Sequence, residues 1–234
     1  MKVSHLAFVQ GMDDTRTTLQ RWNAAPMAAV RPWALGATAI SIGLLCAVWV
    51  IAHAATPDIT GYRLPGVNAP ATLQSVGAVL FRNSLVLALH AMACIAGFIA
   101  GSALPQQAEH HRGWWRTVHE KAGPAAIAFV AAATAFSLCT QAYVLGNEAS
   151  TLAAQFDIGR GVLMLTLLPH ALPELVALFL PLAAWMIASR RGEWDELLAA
   201  TAVTTALAVP VLVCTANVEV FLWPDLLRLA SPVM

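Results

Sequence analysis

The chain has 234 residues, of which 59% are hydrophobic and only 11% are charged, with a formal net charge of zero and a mean hydropathy of +0.67. A soluble globular domain carries about 25% charged residues, so this composition excludes that class and predicts a membrane protein in a lipid bilayer. The zero net charge gives no electrostatic footprint for nucleic acid, which we exclude as a partner.

Five apolar runs are each long enough to cross a bilayer, which takes roughly 20 residues in helical form. They cover residues 33–54, 77–103, 123–146, 161–188 and 197–222. We therefore predict an all-α fold, a polytopic transmembrane helical bundle. It follows a cytoplasmic N-terminal segment (1–32), forms a single transmembrane domain (33–224) and ends in a short tail (225–234).

The distribution of Lys and Arg predicts the orientation of the bundle. With the N-terminus inside, nine of these residues fall on the cytoplasmic side and four on the opposite side. Cytoplasmic loops carry the excess of Lys and Arg, so we predict an N-in, C-out chain. Prolines interrupt the fourth run, which leaves six spans as an alternative that would move the C-terminus to the other side.

Smaller signals concern a loop, the cysteines and a glycine pair. Residues 56–70 are rich in Pro and Gly, so we expect no regular structure in this outer loop. The four cysteines lie in apolar runs without a CxxC pair, and we interpret them as small buried hydrophobes. Gly97 and Gly101 have the spacing of a close helix crossing, although Ala-rich spans often produce it by chance.

Acidic residues inside the predicted spans are the main functional signal. Of the thirteen acidic residues, only Glu174 and Glu219 lie within spans. A carboxylate at the bilayer centre costs a few kcal/mol, so it should face protein, water or a partner. Such a residue is by default part of a functional site.

Spacing and depth indicate which polar groups meet. His170 and Glu174 are one helical turn apart, and Asn83 and His90 are seven residues apart, so each pair shares a helix face. Counting about 1.5 Å per residue from the outer boundary places Asn83, His170, Glu174 and Glu219 in the outer half of the bilayer. His90 lies near the middle. We hypothesise that these groups converge.

The prolines and Asn217 extend this hypothesis. Asn217 precedes Glu219 by two residues and is a candidate for the same polar pocket as Asn83. The last two spans contain four prolines, Pro169, Pro173, Pro181 and Pro210. Broken backbone at membrane depth is tolerated where it is buried in protein or lines a wet cavity, so we predict a polar pocket in these spans.

Three interpretations of the pocket remain open. His170 and Glu174 have the helical spacing of two zinc ligands, and His90 or Glu219 would add a third, with Glu174 and Glu219 as catalytic groups. The second interpretation is a relay that moves protons or a solute. In the third, the groups only hydrogen-bond across helices and hold the bundle together.

Three segments resemble a known family in the family's order. The run LLPHALPELVALFLPLAAW (167–185) resembles the hallmark of the stage II sporulation protein M family, in which Leu-Pro-His-Gly is followed by Glu four residues after the His. The runs VLFRNSLVLALHAMACIAGFIAG (79–101) and VPVLVCTANVEVFLWP (209–224) resemble its earlier and last helices. The chain departs from the hallmark at Ala171, which replaces the Gly, and at Pro173.

The resemblance implies a multi-pass protein of the bacterial cytoplasmic membrane, with Asn83, His170, Glu174 and Glu219 as the matching polar residues. It implies an accessory role in cell-envelope remodelling, or in maturation or export of a peptide. The implied partners are an envelope hydrolase, an exporter or a peptide substrate. An intramembrane zinc-dependent peptidase is the first alternative, and a small transporter or immunity-type protein is the second. A homo-oligomer is also left open.

Overall fold

A computed structural model describes residues 7–58, 60–105 and 113–233 of the chain. Its α-helices are α1 (Ala7–Ala24), α2 (Pro26–Ala54), α3 (Leu73–Phe98), α4 (Trp114–Gln155), α5 (Arg160–Arg191), α6 (Leu197–Asn217) and α7 (Trp223–Ala230). A π-helical turn, Ile99–Ala103, extends α3, and a second one, Val218–Leu222, joins α6 to α7. A 3-10 turn, Trp194–Glu196, precedes α6. The described residues contain no strand beyond an isolated bridge between Pro65 and Ala69.

The described part of the chain contains five helices that are long and apolar enough to cross a membrane. They are Pro26–Ala54, Leu73–Ala103, Arg116–Gln155, Arg160–Arg191 and Trp194–Ala230. The all-α bundle with five spans is therefore confirmed. Each helix runs past the predicted apolar run, because hydropathy stops at the first polar turn while the backbone hydrogen bonds continue.

The prolines do not divide the fourth span. Helix α5 runs without interruption through Pro169, Pro173 and Pro181, so six spans was the wrong alternative. Helix α6 likewise passes Pro210. Each proline removes one donor, but a membrane helix tolerates this loss where neighbouring groups satisfy the freed carbonyls. The irregular backbone lies instead in the π-helical turn Val218–Leu222.

Contacts divide the chain into two compact units. Unit 1 comprises Met1–Ala37, Leu87–Ala135 and Leu178–Leu207, and unit 2 comprises Thr38–Val86, Phe136–Ala177 and Ala208–Met234. The boundaries fall inside the spanning helices, so each unit contains parts of all five.

In unit 1, helix α1 belongs to the packed structure although its sequence is polar. An ion pair joins Arg21 to Glu196, which lies in the turn before α6. Trp22 packs edge-to-face against Trp33, with ring centroids 5.0 Å apart. The predicted N-terminal segment therefore contains a helix that hydropathy alone does not reveal.

The glycine pair of α3 forms a close approach in unit 1. A Cβ added at Gly97 would lie 2.7 Å from Nε1 of Trp185 and 2.8 Å from Cδ1 of Leu197. A Cβ at Gly101 would overlap the ring of Trp194. The spacing thus marks a contact that requires small residues.

In unit 2, the loop between α2 and α3 has turns but no regular structure, as predicted. The backbone N–H of Tyr62 donates to Oε1 of Gln155 (2.7 Å), and Nε2 of Gln155 donates to the Tyr62 carbonyl (3.0 Å). Gly66 has φ of +80°, and a Cβ there would lie 2.6 Å from Cγ of Pro224. Arg228 donates to the Gly66 carbonyl. The loop is therefore held against α4 and α7.

The cysteines are free thiols, and their predicted burial holds for Cys94 alone. Cys46, Cys139 and Cys214 are exposed. The prediction was wrong for these three because an apolar residue in a membrane helix needs no protein cover on a side that faces lipid.

Candidate functional site

A cavity of 540 Å³ opens in unit 2 beneath the loop between α2 and α3. Its lining includes charged and aromatic side chains from the loop, from α3, from α4, from the π-helical turn Val218–Leu222 and from α7: Tyr62, Arg63, Arg82, Glu148, Glu219 and Trp223. A cavity of this size accommodates a small ligand or a few side chains of a partner.

Asp58 and Tyr62 are two ionisable side chains of the loop, and Tyr62 also lines the cavity. The backbone N–H and the hydroxyl of Thr60 both donate to the carboxylate of Asp58 at 2.8 Å, which holds its pKa below the ordinary value. Partial burial, followed by the nearby carboxylates of Glu148 and Asp58, raises the pKa of Tyr62. Tyr62 is therefore a neutral hydroxyl beside acidic groups at neutral pH.

The π-helical turn positions Glu219 at the cavity. Its neighbour Val220 is 2% exposed and packs in an apolar cluster with Val76, Val79 and Ala216. A π-helical turn carries one residue more than an α-helical turn and often occurs at functional sites. Because Val220 is anchored in this cluster, Glu219 is directed to the cavity wall.

Glu219 is paired with one cation, Arg82 of α3. The Arg82 guanidinium lies 3.6 Å from Oε1 of Glu219, with side-chain exposures of 69% and 23%. This distance exceeds that of a hydrogen bond, so the two groups attract each other without a fixed geometry.

Glu174 of α5 lies close to this ion pair. Its carboxylate interacts with the charges of Glu219 and Arg82, and it faces the polar side chains of Asn83 and Thr215. Oε2 of Glu174 and Nδ2 of Asn83 are nevertheless buried without a well-formed hydrogen bond to any described residue. Asn83 is 4% exposed, so water does not reach it freely.

His170 is buried one helical turn before Glu174. Its ring lies 5.7 Å from that of Trp223, whose Nε1 donates to Oγ1 of Thr166 (3.2 Å). Nδ1 of His170 has no hydrogen-bond partner in the described part of the chain. Because Oε2 of Glu174 is also unpartnered, these two atoms do not bond to each other.

Two other predicted residues have different surroundings. His90 belongs to unit 1, where its Nδ1 donates to the Leu178 carbonyl at 2.9 Å and its ring packs on Phe179. Asn217 is exposed, and its amide donates to the Val213 carbonyl at 2.7 Å. The structure thus gathers Asn83, Glu174 and Glu219, and it directs Asn217 to its own helix.

The described residues contain no group of three His, Cys, Asp or Glu side chains arranged to hold a metal ion. A catalytic zinc site normally uses three protein ligands and one open position. The predicted set of His90, His170, Glu174 and Glu219 does not fit this requirement as placed here. The zinc hypothesis stays a prediction, and no chemical step is assigned to a metal.

Sequence reasoning missed Arg82, Thr215 and Glu148. Arg82 lies inside the predicted second span, so it carried the same signal as the two glutamates, a charge at membrane depth. Glu148 lies just past the end of the predicted third run, whereas α4 continues to Gln155. Nothing in the sequence singled out Thr215, because threonine is common in membrane helices.

The fold and the site define a multi-pass, all-α membrane protein with a polar cavity beside glutamates from two of its spans. Family models, curated proteins and solved structures provide no match to this chain. The resemblance to the stage II sporulation protein M family therefore stays a prediction.

Proposed function

We propose that this protein is an accessory component of a bacterial cytoplasmic membrane that works with partners on the cell envelope or on an exported peptide. Its working site is the cavity that Glu219 lines. The observation that carries the proposal is the cavity that Glu219 lines together with residues of the loop after α2, within electrostatic reach of Glu174.

Two physical arguments support binding at this site. Ionisable groups in membrane spans are costly, and they are retained where they contact a substrate, an ion or a partner. The cavity lining includes loop residues such as Tyr62 and Arg63, so a partner on the side of this loop has access to it. The resemblance of three segments to a family of envelope accessory proteins agrees with this role.

The metal-dependent peptidase remains an untested alternative that the geometry does not favour. His90 already donates Nδ1–H to a backbone carbonyl, and no three ligating side chains of the described residues come together.

Site-directed photocrosslinking in the native cell tests the proposal. A benzoylphenylalanine probe at position 62 is expected to give a discrete adduct with an envelope hydrolase, an exporter subunit or an exported peptide. The same probe at Phe129, which is 73% exposed on α4, is the control for contacts with bulk membrane proteins. We expect Glu219→Gln to abolish the adduct from position 62. Identical adducts from both positions, or no adduct from position 62, would contradict the proposal.

A further inference from the structure

The charges around Glu174 and Glu219 do not balance. Two carboxylates face one guanidinium, because Arg82 pairs with Glu219 and also acts on Glu174. The described residues supply no second ion pair to either glutamate. A buried carboxylate without a counter-charge is costly, so this site is stabilised by taking up a proton or a second cation.

The buried amide of Asn83, next to Glu174, is a second feature of the same polar site. It lies beside Glu174, is 4% exposed, and its Nδ2 finds no acceptor of adequate geometry among the described residues. His170 adds another unpartnered atom at 5% exposure. Buried polar atoms without partners are rare in native proteins, so this polar cluster retains capacity for further hydrogen bonds.

We propose that the cavity receives one cationic group of the lysine or arginine type from a peptide or partner protein, which pairs with Glu219 in place of Arg82, within electrostatic reach of Glu174. This inference rests on the proposed function, since it names the chemistry that the accessory site recognises.

Arg82 is suited to being displaced. Its side chain is 69% exposed and lies 3.6 Å from the carboxylate, so the ion pair is loose. A pair of this distance and exposure is weak, so an incoming cation can displace the guanidinium from Glu219.

The cavity lining favours an organic cation over a proton alone. A volume of 540 Å³ accommodates a whole side chain, which a proton does not need. Tyr62 and Trp223 belong to the lining, and aromatic faces attract ammonium and guanidinium groups.

The test compares two blocked tripeptides on the purified full-length protein in lipid nanodiscs. One is acetyl-glycyl-lysyl-glycine amide, and the other has norleucine in place of lysine, which removes only the amine. Binding is measured by microscale thermophoresis. We expect the lysine peptide to bind at least about tenfold more tightly, as one charge-assisted contact implies.

Variants distinguish the roles of the charges. Glu219→Gln is expected to weaken binding of the lysine peptide by about tenfold, through loss of a charged contact. Glu174→Gln is expected to weaken it less, through loss of a nearby negative charge. Arg82→Gln is expected to strengthen it about threefold, since the competing cation is removed. Glu193→Gln is the matched control, because Glu193 is an acidic residue of unit 1 and should leave binding unchanged.

If the wild-type protein binds both peptides equally tightly, the inference is wrong. This comparison requires no variant. An Arg82→Gln variant that binds as weakly as Glu219→Gln also overturns the inference. If neither peptide binds and the carboxylates respond only to pH, the missing charge is a proton and the inference fails. A partner adduct from position 62 would in that case leave the proposed function standing.

Discussion

At the residue scale, His90 and Glu174 are both buried ionisable side chains, but they differ in their hydrogen bonds. His90 donates to the Leu178 carbonyl of α5. Cys94 contacts the Pro181 carbonyl in the same way, at 3.1 Å. These two bonds join α3 to α5. Glu174 has an oxygen that no described group satisfies.

Substitutions at these two positions are therefore expected to change stability in opposite directions. His90→Leu leaves the Leu178 carbonyl without a side-chain donor and should destabilise the protein by about 1–3 kcal/mol. Glu174→Gln removes an uncompensated charge and should leave stability unchanged or raise it by about 1 kcal/mol. Thermal unfolding of both variants in the same detergent measures the difference.

The control for this pair is Asn217→Leu, since Asn217 is exposed and bonds within its own helix. It should change the unfolding temperature less than His90→Leu does. A Glu174→Gln variant that unfolds as readily as His90→Leu would instead favour a purely structural role for the carboxylate.

At the element scale, π-helical turns and glycines rather than prolines determine how the helices approach each other. The π-helical turn Ile99–Ala103 contains Gly101, whose missing side chain makes room for Trp194. The turn Val218–Leu222 carries Glu219 to the cavity. Proline positions were visible in the sequence, but α5 and α6 run through them as continuous helices.

The glycines of α3 provide a prediction with an internal control. Gly97→Ala and Gly101→Ala each place a methyl group against a tryptophan ring, and we expect a loss of about 1–3 kcal/mol in unfolding free energy. Gly77→Ala lies in the same helix with nothing within 4 Å of its Cβ, so it should be neutral or stabilising by about 0.5–1 kcal/mol. Equal effects at positions 77 and 97 would contradict the close approach.

At the scale of the whole molecule, the orientation in the membrane decides which compartment the cavity faces. The predicted N-in arrangement places the loop after α2 outside, where Arg63 lines the cavity, and the turn after α5 inside. Lys2 and Arg112, which contribute to this prediction, lie outside the described residues.

Cysteine labelling in intact cells checks this orientation. In a chain whose four native cysteines are replaced by alanine, we expect Arg63→Cys to react with a membrane-impermeant maleimide in intact cells. Glu193→Cys should react only after the cells are opened. The cysteine-free chain is the control for background labelling, and the reverse pattern would place the cavity on the cytoplasmic side.

Composition and hydropathy alone determined the membrane class, the five spans and their approximate limits, because burying apolar surface in lipid depends on how many apolar residues follow one another. The sequence also singled out Asn83, Glu174 and Glu219 as polar groups at membrane depth. Only the tertiary structure decided that these three meet, that Arg82 joins them, and that His90 bonds to a backbone carbonyl instead. Spacing along one helix specifies a shared face, but which faces of different helices meet depends on contacts between residues far apart in the chain, such as Val76 with Val220 and Gly101 with Trp194.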